Sequence, residues 1–395
     1  MYKRVYLNPR KEESLKRFHP WVFSGAINRV NMIPEEGEIV EVYDCFDHFV
    51  AVGHYQIGSI AVRVLSFKRQ IIDKDFWIAH IETAYKLREQ LGLTGNPGNN
   101  TYRLIHGEGD GLPGLIVDVY GDTAVMQAHS PGMHIVRHEL AEALQEVIGH
   151  SVDNIYYKSE STLPFKADLD AENGYLTGGS EEVSDMAIEN DLQFHVDWVK
   201  GQKTGFFIDQ RDNRSLLEKY AKGRSVLNMF CYTGGFSCYA MRGGAKLVHS
   251  VDSSTKAIAL TNKNIALNFP KDNRHQAFSE DAFKYLEQAG GRYDLIILDP
   301  PAFAKHRNVL KNALQGYRKL NAAAFEKIKP GGIVFTFSCS QVVSKSDFRL
   351  AVFSAAAQSG RKIKILHQLA QPADHPINIY HPEGEYLKGL VLSVE

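Results

Sequence analysis

The sequence predicts an α/β protein with a Rossmann-like C-terminal sheet, an N-terminal small β-barrel and a central α+β domain. Three observations lead to this fold class. Apolar runs and amphipathic segments alternate through 191–395, short strand-like runs dominate 1–70, and 71–190 mixes the two patterns. Alternating strands and helices are typical of a parallel sheet with right-handed crossovers. We therefore expect three domains with these boundaries.

Local patterns give the elements of the first two domains. Short apolar or alternating runs separated by Gly- or acid-containing turns are typical of β-strands. In the first domain such runs lie at 38–43, 49–55 and 59–67, and only 11–18 is helical in pattern. In the second domain we expect helices at 76–91 and 135–148 and strands at 115–120, 124–129 and 154–158. A polar, acidic loop then extends to about Asn190.

The C-terminal domain is expected to contain a mainly parallel sheet. Its strands lie near 226–230, 247–251, 275–279, 293–298, 332–338, 361–367 and 388–394. A long loop rather than a helix joins the last two strands, which favours an antiparallel closing strand.

The turn after the first of these strands carries most of the functional information. The strand runs into Gly234 and Gly235, and acidic residues follow near the ends of later apolar runs. These acids are Asp252, Asp281 and Asp299. A glycine turn lets a ligand approach the backbone, and an acid about 20 residues further on suits ribose hydroxyls. The other two acids suit an adenosine cofactor, so we expect S-adenosylmethionine (SAM).

A dinucleotide-binding fold is the main competitor for this turn. It requires the spacing G-x-G-x-x-G, with the pyrophosphate at a helix N-terminus. The turn lacks that spacing and has the bulky Phe236 where backbone should face phosphate. An ordinary tight turn without a ligand does not explain the three spaced acids. The closing antiparallel strand also fits a methyltransferase sheet better than a dehydrogenase sheet.

Composition limits the class of protein. The chain has 395 residues, of which 44% are hydrophobic and 23% charged, as is ordinary for a globular protein. The start of the chain is charged from the third residue and lacks the apolar stretch of a signal peptide. No run of about 18 apolar residues occurs, and the four cysteines have neither metal-ligand nor disulfide spacing. These features favour a reduced, cytoplasmic setting without a membrane partner.

Positive charge is clustered, although the net charge is only −1. Residues 301–330, directly after Asp299, hold seven Lys or Arg against one Glu. A basic rim beside a catalytic pocket would suit a phosphate backbone, and a solvated helix face is the alternative. The candidate RNA-binding residues are Lys305, Arg307, Lys311, Arg318 and Lys319.

Cys339 is the candidate nucleophile. It lies at the carboxyl end of the fifth strand, the edge at which open α/β sheets bind ligands. When a thiolate adds to carbon 6 of a pyrimidine, carbon 5 becomes nucleophilic and can accept a methyl group. A free cysteine has a pKa of about 8.5, so basic neighbours would have to favour the thiolate. The alternative is a buried structural thiol. We interpret Cys231 as a loop residue and Cys238 as a helix-packing residue.

The motif at 299–303, Asp-Pro-Pro-Ala-Phe, indicates a competing reaction. Enzymes that methylate exocyclic amines place an acid or amide before Pro-Pro and an aromatic residue directly after it. Here Ala302 follows and Phe303 comes one residue late. This displacement, with a thiol on the adjacent strand, favours methylation of carbon over nitrogen. Asp299 would then hold the cytosine edge or the amino group of the cofactor.

Two further motifs give weak signals. His134 and His138 have a spacing that can bind zinc, but no third ligand accompanies them, so surface or core histidines are expected and no metal site is predicted. The glycine-rich loop 106–114 contains Glu108 and Asp110, which would repel phosphate. We therefore expect it to be a structural turn.

The segment 201–214 precedes the first strand of the C-terminal sheet. It could close over the methionine end of the cofactor, and Gln210 is the candidate contact. A helix cap formed by Asp209 or Asp212 is an equally good interpretation.

Seven motifs resemble, in the same order, those of the bacterial large-subunit ribosomal RNA methyltransferase I family. They are HPWVFSGAI (19–27), GEGDGLPGLIVDVYGD (107–122), GQKTGFFIDQRDNR (201–214), VLNMFCYTGGFS (226–237), LDPPAF (298–303), TFSCS (336–340) and ADHP…PEGEYLKG (373–389). The resemblance covers nearly the whole chain. It implies an N-terminal RNA-binding PUA domain, a small α+β domain and a class I methyltransferase domain that methylates cytosine at carbon 5 in 23S rRNA.

The resemblance also implies roles for individual residues. The methionine part of SAM would lie against Phe230, Tyr232, Thr233, Gly234 and Gly235. Asp252 would bind the ribose, Asp281 and Ala282 would meet the adenine, and Cys339 would be the nucleophile. The base that removes the C5 proton is not evident. The candidates are Asp374, His375, Glu383 and Glu385, with ordinary positions in a surface loop as the alternative.

We therefore expect a cytoplasmic RNA cytosine-C5 methyltransferase that acts on 23S rRNA or a large ribosomal subunit precursor, with the target base flipped into the pocket. An exocyclic-amine methyltransferase that uses Asp299 is the first alternative. A non-catalytic RNA assembly factor with SAM as a structural ligand is the second. The sequence gives neither the target nucleotide nor the oligomeric state, so a homodimer is left open.

Overall fold

The structure, a computed structural model, describes residues 2–164, 169, 172–179, 184–304 and 306–395. The chain divides into two units. Unit 1 comprises Met1–Asp191, Val196–Ile208 and Ala373–Gly384, and unit 2 comprises Leu192–His195, Asp209–Pro372 and Glu385–Glu395. No helix among these described residues is long and apolar enough to cross a membrane.

Unit 1 begins with a six-stranded sheet. Its elements are β1 (Lys3–Leu7), α1 (Glu13–Lys16), β2 (Trp21–Phe23), β3 (Ile27–Val30), β4 (Ile39–Tyr43), β5 (Phe49–Tyr55) and β6 (Ile60–Ser66). The strand order is β2-β6-β5-β4-β1-β3, and only the β1–β4 pair among these strands is parallel. Val40 and Val42 are buried and Glu41 between them is not, as the two-residue period of a half-buried strand requires.

A five-stranded sheet follows in unit 1. Its region contains α2 (Lys74–Gln90), β7 (Thr101–His106), β8 (Leu115–Tyr120), β9 (Thr123–Ala128), α3 (Pro131–Ile135), α4 (Arg137–Ile148), β10 (Asn154–Tyr157), β11 (Gly174–Thr177) and β12 (Met186–Glu189). The order is β11-β10-β9-β8-β7. Two expectations differ from this structure: the helix predicted at 135–148 is interrupted at Val136, and β11 and β12 lie in the predicted acidic loop. β11 is held in place by main-chain pairing with β10. Its own sequence shows no apolar alternation that would predict a strand.

The two compact units group the chain differently from the three expected domains. Val52 and Leu65, from the first sheet, pack in the same core cluster as Trp77 and Leu104. This shared core explains why 1–70 and 71–190 form one unit. Unit 1 also includes Val196–Ile208 and Ala373–Gly384, two segments that the sequence pattern places in the C-terminal domain.

Unit 2 is a doubly wound sheet with helices between its strands. Its elements are β13 (Leu192–His195), α5 (Arg211–Ala221), β14 (Ser225–Met229), α6 (Gly235–Arg242), β15 (Leu247–Asp252), α7 (Thr255–Asn268), β16 (His275–Ser279), α8 (Ala282–Glu287), β17 (Leu295–Leu298), α9 (Leu310–Lys327), β18 (Gly332–Ser338), α10 (Lys345–Ser359), β19 (Ile363–Leu369) and β20 (Lys388–Val394). The main sheet has the order β16-β15-β14-β17-β18-β20-β19. All neighbours are parallel except β20, which runs antiparallel to β18 and β19. The expected antiparallel closing strand is therefore confirmed.

The strand order places the candidate site. The chain passes from β14 to β15 on one side of the sheet, and β17 lies on the other side of β14. Order reversal of this kind opens a crevice at the carboxyl ends of the two central strands, where open α/β sheets bind their ligands.

Candidate active site

The turn after β14 has a strained backbone. Phe230 (φ 58°), Tyr232 (φ 46°) and Gly234 (φ 80°) lie in the left-handed region, which residues other than glycine seldom adopt. A Cβ atom at Gly234 would lie 2.7 Å from Cγ2 of Thr261, so the position requires glycine for space as well as for conformation. Strained backbone persists only where the surroundings hold it, and it is common at ligand sites.

Two side chains of α7 hold this turn in place. Oγ1 of Thr261 donates to the carbonyl of Tyr232 (2.8 Å), and Nδ2 of Asn264 donates to the carbonyl of Thr233 (2.9 Å). Both side chains are fully buried. Neither residue is among those predicted from the sequence, although two polar residues three apart on the buried face of a helix are a usable signal.

Asp252 joins the turn to the end of β15. One carboxylate oxygen accepts the N–H of Tyr232 (3.0 Å) and the other accepts the N–H of Ser254 (2.9 Å). Each carboxylate oxygen has two lone pairs, so both can accept a further bond. A half-buried acid in this position is suited to the hydroxyls of a ribose.

Asp281 and Ala282 lie between β16 and α8. Oδ1 of Asp281 caps α8 by accepting the N–H of Lys284 (3.0 Å), and its side chain is exposed. Ala282 is buried. The capping bond orients the carboxylate, and the contact of these two residues with adenine stays a prediction.

The structure brings Gln210 and Asp299 together. Nε2 of Gln210 donates to Oδ2 of Asp299 (3.1 Å), and Oε1 of Gln210 accepts from Nδ2 of Asn213 (2.7 Å). Gln210 precedes α5 without making a capping bond. The carboxylate of Asp209 accepts the O–H of Tyr386 (2.8 Å). A buried amide is therefore positioned on the acid of the Asp-Pro-Pro motif at the end of β17.

Cys339 directly follows β18, next to that motif. Its side chain is half-buried, and Sγ lies 3.9 Å from the carbonyl oxygen of Pro300. The flanking serines fix its surroundings: Oγ of Ser338 donates to the hydroxyl of Tyr317 (2.9 Å), and Oγ of Ser340 donates to the carbonyl of Ala304 (2.5 Å). The thiol is thus held beside the carboxyl end of β17.

The other cysteines lie in different environments. Cys231 and Cys238 are buried, and burial raises the pKa of each thiol to about 12. Cys45 is exposed and belongs to unit 1. Cys339 lies at the carboxyl edge of the main sheet and, unlike Cys231 and Cys238, is only half-buried.

Lys388, the first residue of β20, contacts the loop after Cys339. It lies opposite Ser338 in the β18–β20 register. Its Nζ donates to the carbonyl oxygens of Ser340 (2.6 Å) and Val343 (2.8 Å). Burial lowers the pKa of Lys388 to about 8, and the neighbouring Cys339 side chain acts in the opposite direction. Lys388 is not among the residues predicted from the sequence, where its only signal is a lysine at the start of an otherwise apolar strand.

The candidate RNA-binding residues lie on α9 and the turn before it. Arg307, Lys311 and Lys319 are exposed, and Arg318 is half-buried. Within the described part of the chain, no carboxylate forms an ion pair with any of the four. Lys305 lies outside the described residues.

The candidate bases have ordinary structural contacts. Asp374 accepts the N–H of Arg103 (3.0 Å) and lies 3.0 Å from Nδ1 of His375. Both are buried within unit 1, so the expected surface position is wrong for these two residues. Glu385 forms an ion pair with Lys345, and Glu383 lies 3.6 Å from Nε2 of His19.

The weaker motifs are structural. His134 is buried, with Nδ1 at 2.6 Å from the hydroxyl of Tyr157. Asp110, in the glycine-rich loop, accepts two bonds from the buried Arg88 (2.6 and 2.8 Å). Among the described residues no cluster of His, Cys, Asp or Glu has the arrangement of a metal site.

The residues at the carboxyl edge of the main sheet fit SAM. The left-handed turn, which has no room for a side chain at Gly234, allows a ligand to lie against its backbone. Asp252 supplies acceptors for a diol, and Gln210 with Asp299 supplies an amide and a carboxylate for polar groups. These groups match the hydroxyl, amino and carboxylate groups of that cofactor.

Comparisons with known proteins define the class. Residues 159–384 match the family of S-adenosylmethionine-dependent methyltransferases, and residues 5–67 match a PUA-like domain. The fold is similar to that of a protein assigned as a SAM-dependent methyltransferase from Streptococcus mutans (23% identity, TM-score 0.84, covering 99% of this chain and 100% of that one). It is also similar to a methyltransferase structure solved with SAH (24% identity, TM-score 0.86, the same coverage). The protein is therefore SAM-dependent, and the predicted fold class and cofactor are confirmed.

Relatives over the full length define the family. The chain is 41% identical to the ribosomal RNA large subunit methyltransferase I of Tolumonas auensis, over 99% of both chains. It is 40% identical to the protein of the same name from Aeromonas hydrophila, again over 99% of both. The chain belongs to the ribosomal RNA large subunit methyltransferase I family.

Proposed function

We propose that the protein methylates carbon 5 of a cytosine in 23S rRNA, with Cys339 as a transient covalent nucleophile. Relatives that match the chain over 99% of its length are named ribosomal RNA large subunit methyltransferase I, which supports the substrate class. The PUA-like domain and the basic residues of α9, which have no acidic partner among the described residues, support an RNA substrate.

One observation carries the proposed chemistry. A half-buried thiol lies at the carboxyl edge of β18, 3.9 Å from the carbonyl of Pro300 in the Asp-Pro-Pro motif. A structural cysteine would be expected to be buried, as Cys231 and Cys238 are. Position at the ligand edge together with partial exposure is what a nucleophile needs.

The reaction follows from the reactivity of a thiolate. Sγ of Cys339 bonds to C6 of cytosine, the C5=C6 π bond breaks, and its electron pair makes C5 nucleophilic. SAM supplies an electrophilic methyl group, which C5 accepts as the bond from that methyl to sulfur breaks. A base then removes the C5 proton, the C5=C6 bond re-forms, and the C6–S bond breaks to release the Cys339 thiolate. Asp299, positioned by Gln210, would hold the polar edge of the base.

Methylation of an exocyclic amine is less well supported by the motif at 299–303. That reaction needs an aromatic residue after Pro-Pro that is free to stack on the flipped base. The ring of Phe303 instead packs against the ring of Tyr317, with centroids 4.7 Å apart, and lies over Gly316. The buried Tyr317 therefore occupies a face of the Phe303 ring on which a flipped base would have to stack.

The test is to identify the methylated nucleoside. The purified protein is incubated with SAM and unmodified large-subunit rRNA, naked or in subunits, and the digested RNA is analysed by mass spectrometry. We expect 5-methylcytidine from the wild type and from C45A, a control at an exposed cysteine. Cys339→Ala should give none while binding SAM as the wild type does. If C339A makes a methylated amine, the reaction is amine methylation that uses Asp299. If the wild type makes no product on any substrate, a non-catalytic RNA-binding factor is favoured.

A further inference from the structure

Lys388 places a buried positive group opposite the end of β18. Only 4% of its surface is exposed. Burying an ammonium is unfavourable unless polar groups compensate, and here two backbone carbonyls do, those of Ser340 and Val343. Both carbonyls belong to the segment that directly follows Cys339. Lys388 therefore ties β20 to the loop that carries the thiol.

Few charged groups act on this lysine. Cys339 and Glu385 favour its protonated form, Lys345 disfavours it, and burial disfavours it most. Glu385 and Lys345 form an ion pair with each other, so their opposite effects on the pKa of Lys388 partly cancel. Among the described residues no carboxylate lies within ion-pair distance of Lys388. Cys339 is thus one of two nearby groups, with the ion-paired Glu385, that can supply a negative charge to it.

We propose that Lys388 is a positioning residue that stabilises the thiolate of Cys339 and fixes the loop after it. This inference rests on the proposed role of Cys339 as nucleophile. Opposite charges attract more strongly away from water, and only the thiolate form of a cysteine attacks carbon. With its pKa near 8, most of Lys388 is protonated at neutral pH and can provide this charge.

The test measures the reactivity of each thiol in the full-length protein without RNA. Wild type, Lys388→Met and Lys388→Arg are alkylated with iodoacetamide from pH 6 to 9, and each cysteine is read separately by peptide mass spectrometry. The exposed Cys45 is the internal reference. In K388M we expect the rate of Cys339 relative to Cys45 at pH 7 to fall by about tenfold, equivalent to a shift of roughly one pH unit. K388R, which keeps the charge, should retain most of the wild-type rate.

SAM binding checks that K388M is folded. If folded K388M shows the same ratio of Cys339 to Cys45 alkylation rates as the wild type, the inference is overturned. If K388M does not fold, the wild type decides: its Cys339 should reach half of its plateau rate at a lower pH than Cys45, and an equal or higher pH contradicts the inference. Because alkylation needs no RNA, the two proposals fail separately. A reactive Cys339 in a protein that makes no 5-methylcytidine would contradict the proposed function alone.

Discussion

Gly234 shows how one residue links backbone conformation to the cofactor site. Its φ of 80° and the distance of only 2.7 Å that would separate a Cβ atom from Thr261 both exclude a larger residue. Thr261 in turn holds the carbonyl of Tyr232, whose N–H is bound by Asp252. Any displacement at Gly234 would therefore move the groups on both sides of the turn.

Gly234→Ala should weaken SAM binding at least about tenfold, because strain of roughly 1–3 kcal/mol adds to the contact with Thr261. Isothermal titration calorimetry would measure the affinity. Gly223→Ala is a matched control, since Gly223 has a similar φ of 71° but open space where its Cβ would lie. Equal SAM affinity in the two variants would show that the close approach to Thr261 has no role in the site.

The sequence identified some site residues and missed others for a physical reason. Asp252 ends an apolar strand and Asp299 and Cys339 directly follow one, so periodicity alone predicted them at one edge of the sheet. Thr261 and Lys388 act through contacts with backbone carbonyls of other elements. Such contacts depend on tertiary structure and leave no regular spacing in the sequence.

At the scale of elements, α9 combines a buried face with a basic one. Tyr317, Leu320 and Phe325 pack in the core, while Lys311 and Lys319 are exposed and have no acidic partner within the described chain. A helix face next to the Asp-Pro-Pro segment whose two lysines pair with no acid in the described ranges is suited to a phosphate backbone.

Lys311→Gln with Lys319→Gln should reduce the salt dependence of RNA binding. If each lysine contacts a phosphate, the slope of log affinity against log salt should fall by about 0.7–0.9 per lost contact. Binding would be measured by filter retention between low and moderate salt. Lys256→Gln with Lys271→Gln makes the same change in net charge at exposed positions elsewhere in unit 2. An identical slope in both double variants and the wild type would leave α9 as a solvated helix.

Elements with a regular apolar pattern were predictable, and irregular ones were not. The strands predicted at 49–55, 115–120, 275–279, 332–338 and 388–394 have those bounds in the structure. β11 has the sequence Gly-Tyr-Leu-Thr, with every residue only partly buried. Its pairing with β10 is a long-range contact that no local pattern records.

At the scale of the whole molecule, buried ionic bonds explain why distant segments join unit 1. Arg88 is fully buried, binds both oxygens of Asp110, and donates to the carbonyl of Asp374 (2.8 Å). Arg103 pairs with the buried Asp118, whose carboxylate also accepts the hydroxyl of Thr204 (2.6 Å). The segments around 204 and 374 are thereby attached to the central sheet, whereas the sequence suggested one continuous domain from 191.

Arg88→Met should lower the free energy of unfolding of unit 1 by about 3–5 kcal/mol, because it leaves the carboxylate of Asp110 buried without its charged partner. Urea denaturation followed by tryptophan fluorescence would measure this, since Trp77 and Trp198 lie in the cores of unit 1. Lys86→Met is the control: it removes an exposed ion pair with Glu82, which should contribute less than about 1 kcal/mol. Equal stability of the two variants would contradict the importance given to the Arg88 network.

Trapping the bond between Cys339 and the base would test the proposed mechanism most directly. Large-subunit rRNA transcribed with 5-fluorocytidine is incubated with the protein and SAM. Fluorine cannot leave C5 as a proton does, so the adduct should persist. The proposed mechanism predicts a covalent RNA–protein species whose attached peptide contains Cys339, and none with Cys339→Ala. An adduct on another residue, or 5-methylcytidine formed on normal rRNA by the C339A variant, would contradict it.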